Sequence, residues 1–229
     1  MNMIEEKRKP SERILRKRHA RTREILDSAQ AIVVEQGLAG LTIPALARRM
    51  DSAVGVTYRY FANKQALVVA LQTRAIQVFD GRLQQALEEG ADPGLGAVVA
   101  AVHCWRDFAV QDPAMHGLID AMLSAPARVL DDTEAHRVQG ALEHVLGRIG
   151  VAFAVAQEDG ALADGSPTLR THMLWAALHG VDHFRKRDSR IAPELHSDRV
   201  AQALLADLLR GWGASEAALI HAGARLSEN

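Results

Sequence analysis

Apolar residues recur three and four positions apart through almost the whole of this chain. Nowhere do they alternate with period two, as a half-buried strand requires. The spacing predicts an all-α fold of about nine helices in two units. Ile25, Leu26, Ala29, Ile32 and Val33 mark a first helix over 19–36, and Gly37 is placed to stop it by taking positive φ. Thr42 is an N-cap candidate for a short second helix that tolerates Pro44 in its first turn and ends near Met50. Asp51 or Ser52 is placed to cap a third short helix running to Tyr60 or Phe61. Asn63 is the next cap. The long helix over 63–89 carries Leu67, Leu71, Ala75, Val78, Phe79, Leu83 and Leu87 along one side, until Gly90, Pro93 and Gly94 break the pattern.

The remaining stripes are also helical. Val98, Val102, Trp105 and Phe108 form one. A shorter helix through Met122 and Leu123 follows the Asp112-Pro113 boundary. Val138, Leu142, Val145 and Ile149 mark the next, and a loop cluster of Gly160, Gly165 and Pro167 follows. Leu169, Met173, Ala177, Val181 and Phe184 mark a penultimate helix. Val200, Leu204, Leu208 and Trp212 mark the last main one.

Charge divides the chain. Its net charge of −1 conceals a basic head: residues 1–74 hold 14 Lys/Arg against 7 Asp/Glu, and the remainder holds 13 against 21. A head of +7 on a body of −8 suits a protein with one end on a polyanion. The domains expected are a basic arm over 1–18, a DNA-binding unit over 19–65 and a helical body over 66–229. Lys7, Arg8, Lys9, Arg13, Arg16, Lys17 and Arg18 charge the arm, interrupted by Pro10 and Ser11. Cys104 is the one cysteine, which excludes an intrachain disulfide and fits a cytosolic protein. The charged N-terminus lacks the apolar core of a signal peptide. No run of about 18 apolar residues suggests a membrane span.

The stretch over 41–67, LTIPALARRMDSAVGVTYRYFANKQAL, sets two short capped helices around a tight turn, as a helix-turn-helix requires. Ala53, Val54, Gly55 and Val56 are small enough for close approach to a major groove. Through Leu41-Thr42-Ile43, Ala47, Gly55, Tyr58, Tyr60-Phe61, Asn63-Lys64 and Ala66-Leu67 this stretch resembles the TetR family of transcriptional regulators. The likeness is specific over residues 20–70, and helix number and length extend it to the rest.

The resemblance implies roles. Thr42 caps the second helix and touches a phosphate, and Ala53 to Val56 enter the groove. Tyr58 and Tyr60 offer hydroxyls to phosphates or base edges, while Arg59 and Lys64 reach the backbone. Leu46, Ala47 and Phe61 belong to the core. Two departures stand out: Ser52 and Thr57 occupy positions that are usually apolar. Thr57 is expected to bond its hydroxyl back to a carbonyl one turn earlier. Val54 replaces a frequently polar residue, which shifts base reading toward thymine methyls and DNA shape.

For the body, the resemblance implies a small-molecule effector site and a homodimer. Trp105, Phe108, Met115, Met122, Phe153, Met173, Trp175 and His179 are candidates for an adaptable, largely apolar effector pocket, and each also suits a plain core. Trp175, His179 and Gly180 match the Trp…His-Gly signature of one TetR subgroup. Gly180, Val181, Phe184, Leu204, Leu208 and Trp212 are candidates for a twofold interface built from the last two main helices. Such a dimer sets its recognition helices about 34–36 Å apart, facing a palindrome. Among ten histidines, His172, His179 and His183 share a helix and His103 and His116 lie elsewhere. No compact Cys/His cluster forms, so no metal or cofactor is expected. The reading is a ligand-responsive repressor. Its rivals are an enzyme using the helical body, for which no Ser-His-Asp order, nucleotide loop or carboxylate pair stands out, and a non-sensing DNA-binding or adaptor protein.

Overall fold

Thr42 Oγ1 accepts the Ala45 N–H at 3.2 Å, and Asn63 Oδ1 accepts the Ala66 N–H at 2.8 Å. These two bonds satisfy otherwise orphaned donors and frame the N-terminal helices. The computed structural model describes residues 11–90, 92–124 and 132–223, and among them every regular element is helical. Lys7, Arg8 and Lys9 of the expected arm lie outside the described residues. The rest of that basic stretch belongs to α1 (Glu12–Gly40). Gly37 breaks the regular helix with φ 69° and ψ 176°, a backbone that a side chain resists. Then come α2 (Ile43–Arg49), α3 (Val54–Tyr58) and α4 (Lys64–Glu89).

Two expectations fail at α3 and the turn before it. Neither Asp51 nor Ser52 caps α3; Ala53 precedes it with no side-chain cap. Asp51 adopts φ 45°, a left-handed conformation that Asp tolerates better than most residues. The Asp51 N–H donates to Arg48 O and the Ser52 N–H to Ala47 O, which closes the turn tightly. Thr57 does not bond back to a carbonyl: it is fully buried, and no protein group pairs with its Oγ1.

The chain divides into two compact units at Gln72 and Thr73. Ile25, Ala29, Leu41, Leu46, Leu67 and Leu71 are completely enclosed in the first. Each such Leu or Ile contributes roughly 1.5–3 kcal/mol on leaving water. The second unit contains the remainder of α4, then α5 (Leu95–Gln111), α6 (Pro113–Ser124), α7 (Asp132–Glu158) from Ala135 onward, α8 (Pro167–Phe184) and α9 (Ser197–Gly211). A single-turn helix, α10 (Glu216–His221), follows, capped by Ser215 Oγ; it is too short to leave a periodic signal. Two 3₁₀ turns, Arg185–Arg190 and Pro193–Leu195, join α8 to α9, which pack against each other. Phe108, Met115, Leu118 and Phe153 centre this core. Among the described residues, no helix is long and apolar enough to cross a membrane.

Candidate functional site

The residues singled out at α2 and α3 lie at the surface of the first unit. Thr42, Ala53, Val54, Gly55, Tyr58, Arg59 and Lys64 are exposed, and Val56 and Tyr60 are half-buried. Leu46, Ala47, Thr57 and Phe61 point inward, so α3 has one buried edge and one open edge. Val54 is 39% and Tyr58 51% exposed, high values for side chains of their apolar content. A Cβ added at Gly55 would meet no atom within 4 Å. Packing therefore gives no reason for glycine there, although glycine disfavours a helix by about 1 kcal/mol against alanine. Its effect is external: it leaves bare backbone where another molecule can come close.

Exposed Arg48, Arg59 and Lys64 supply positive charge, with Lys64 on the first turn of α4, at the positive end of the helix dipole. Arg49 Nη1 instead pairs with Glu35 Oε2 at 2.8 Å. The sequence reading passed over Arg48, whose place in the last turn of a short helix facing the α2–α3 turn was the available signal. Pro44, Arg48, Asp51 and Val54 border an open groove along this turn. The arrangement can hold phosphates and touch base edges with small apolar groups.

In the second unit, a cavity opens among Ile76 and Phe79 of α4, Val102 and Trp105 of α5, Ile119 of α6, Val145 and Ile149 of α7, and Leu174, Trp175 and Leu178 of α8. Its volume is about 30 Å³, room for one or two water molecules. Of the expected effector residues, Trp105 and Trp175 line it, whereas His179 is buried against both of their rings without lining it. Phe108 and Met115 are buried in the surrounding core, and Met122 is half-buried on α6. Phe153 packs edge-on against Trp212, with centroids 5.4 Å apart. Met173 is 44% exposed on the outer side of α8, because Leu174 and Leu178 take the inward positions. The contributions of α4 and α7 were missed, since nothing in an apolar stripe separates cavity wall from solid core.

A buried polar cluster adjoins this cavity. Trp105 Nε1 donates to Asp182 Oδ2 at 2.8 Å, and His116 Nε2 lies 3.1 Å from the same oxygen. Burial opposes the charge on Asp182, but the His116 and Trp105 hydrogen bonds outweigh it and hold the carboxyl below its ordinary range. His179 Nδ1 lies 3.4 Å from Asp120 Oδ1, as does His183 Nδ1. Burial pushes the His179 imidazole below its usual value despite Asp120. His103 and His172 are exposed, and no three His, Cys, Asp or Glu side chains among the described residues group as metal ligands.

One face of α8 is open. Leu169, Met173, Gly180 and Phe184 are exposed along it, and Val200 of α9 is exposed beside half-buried Leu204 and Leu208. A Cβ at Gly180 would also meet nothing within 4 Å. Two candidates for this face turn inward instead. Val181 is 8% exposed, and Trp212 packs on Phe153 with the Arg170 guanidinium 5.6 Å from its ring centroid.

Comparison with known proteins bears on both units. Residues 25–71 match the profile of bacterial regulatory proteins of the tetR family. Over 73 residues the chain is 36% identical to the HTH-type transcriptional repressor KstR of Mycobacterium tuberculosis, covering 32% of this chain and 33% of that protein. It thus spans about a third of the length of the curated relatives it matches. SmeT, the repressor of the Stenotrophomonas maltophilia multidrug efflux pump SmeDEF, superposes with a TM-score of 0.62 at 22% identity, over 91% of this chain and 94% of SmeT. AibR, solved in complex with isovaleryl coenzyme A and operator DNA, superposes with a TM-score of 0.62 at 17% identity, over 82% of this chain and 98% of AibR. At these identities the structural likeness shows a shared fold.

Proposed function

We propose, from the tetR-family match over residues 25–71, that the chain is a regulator of that family and a ligand-responsive repressor, acting in the cytoplasm as a homodimer on a palindromic operator. The observation that carries this reading is the open edge of α3. There Gly55 has no packing role and is flanked by exposed Val54, Tyr58 and Arg59, with Lys64 close in sequence. Thr42, Tyr58, Arg59, Tyr60 and Lys64 bind phosphates and set the register on the duplex. Ala53, Val54, Gly55 and Val56 face the groove, where they discriminate by methyl contact and local DNA shape.

The α8–α9 face supports pairing of two copies through Met173, Gly180, Phe184, Leu204 and Leu208. Apolar side chains left in water beside a glycine without an internal role fit a close helix-to-helix contact. The effector enters the cavity beside Trp105 and Trp175 and is largely apolar, as its walls are. A space of about 30 Å³ admits a ligand only if those walls move. Ile76 and Phe79 are wall residues on α4, the helix whose first turn carries Lys64. A ligand that favours the displaced wall therefore favours an altered α4, and only such differential affinity shifts an equilibrium. A coupling of about 1–3 kcal/mol changes operator affinity roughly 5–150-fold.

Lys64→Ala and Tyr60→Ala test the DNA face, using the DNA flanking the protein's own gene and an unrelated duplex. Both variants should bind every sequence more weakly, and Lys64→Ala should reduce the salt slope by about one. Wild-type affinity at matched salt for either variant refutes its assignment.

A further inference from the structure

His179 is 4% exposed, yet no protein group hydrogen-bonds its Nε2. Buried polar atoms are nearly always paired, so each exception calls for a reason. The other ring nitrogen, Nδ1, faces Asp120 Oδ1 at 3.4 Å. A carboxylate there keeps the proton on Nδ1 and leaves Nε2 as a lone-pair acceptor. His179 does not itself line the cavity, but its ring packs against two tryptophans that do, with its centroid 4.9 Å from Trp105 and 4.9 Å from Trp175. Two polar groups at the wall are already engaged: the Trp105 N–H by Asp182, and the Thr171 hydroxyl by Pro167 O at 2.9 Å.

Resting on the effector-cavity reading above, in which the walls move to admit the ligand, we propose that the effector is a compact, uncharged, largely apolar compound bearing a hydroxyl or N–H donor, and that displacement of Trp105 or Trp175 lets this donor hydrogen-bond to His179 Nε2. A plain hydrocarbon of the same shape fills the space but leaves the acceptor unpaired. A carboxylate brings a second lone pair to Nε2 and a negative charge toward Asp120 and Asp182. The site therefore separates alcohols and phenols from hydrocarbons on one side and from acids on the other, by one atom.

Phenol, toluene and benzoate, titrated into the full-length protein by calorimetry, are the test. Toluene is the more hydrophobic of the first two, so cavity burial alone favours it. We expect phenol to bind about tenfold more tightly than toluene, as one buried hydrogen bond allows, and benzoate more weakly than either. His179→Phe should abolish the preference for phenol and retain toluene binding. In the wild-type protein, the ¹⁵N resonance of Nε2 should move with phenol and stay in place with toluene, a readout independent of any variant's folding. Toluene binding as tightly as phenol, a preference that survives in His179→Phe, or a motionless Nε2 signal with phenol bound overturns the proposal. Ala101→Leu enlarges a wall residue. If neither phenol nor toluene binds the wild-type protein, or if Ala101→Leu leaves both affinities unchanged, the effector-cavity reading itself falls, and this inference with it.

Discussion

Thr57→Val should stabilise the protein. The side chain lies fully buried on the inner edge of α3, and its hydroxyl has no protein partner. Valine keeps the branched shape and replaces the hydroxyl by a methyl group. Burying an unpaired hydroxyl costs about 1–3 kcal/mol in protein mutational series. Valine and threonine have nearly equal helix propensities, so little offsets the gain. We expect an increase of about 1 kcal/mol, equivalent to roughly 2–4 °C in Tm for a chain of this size. Urea unfolding followed by far-UV circular dichroism measures it, at fixed protein concentration because the proposed subunit association would also contribute. The slope m should be unchanged, so that the shift in midpoint reports stability alone. Thr57→Ser is the counterpart: it keeps the hydroxyl, loses the methyl and should destabilise. Operator affinity should change in neither variant, because Thr57 faces inward. A neutral or destabilising Thr57→Val at constant m would show that the hydroxyl is satisfied and that the account of this helix's buried edge is wrong.

Two further outcomes follow from other parts of the molecule. Gly180→Leu places a side chain in open space, so each subunit should fold normally while the pairing of two α8 helices is blocked. Sedimentation equilibrium should then report a monomer, and a persisting dimer would move the interface elsewhere. Burial, assisted by Asp107, pushes the Cys104 thiol up to about 11. Since the thiolate is the reactive form, alkylation by iodoacetamide should be slow at neutral pH and accelerate until the pH nears that value. A plateau near the free-cysteine value of about 8.5 would show a solvated thiol.

The amino-acid sequence by itself determined what is written in a few neighbouring residues. Thr42 and Asn63 satisfy orphan N–H groups within one turn, and Gly37 ends a helix through its own backbone freedom. The apolar spacing defines the helices, and the motif over 41–67 carries the likeness to the tetR family. The packed chain decided which way each helix turns. Successive helical residues point about 100° apart, so a broad apolar stripe leaves several rotations open until neighbouring helices choose one. On α8 that choice sent Leu174 and Trp175 to the cavity, Met173 to the surface and Val181 into the core. It also brought His179 of α8 against Trp105 of α5, and enclosed Thr57 without a partner. Such meetings depend on how distant segments fill a common volume, which no local spacing encodes.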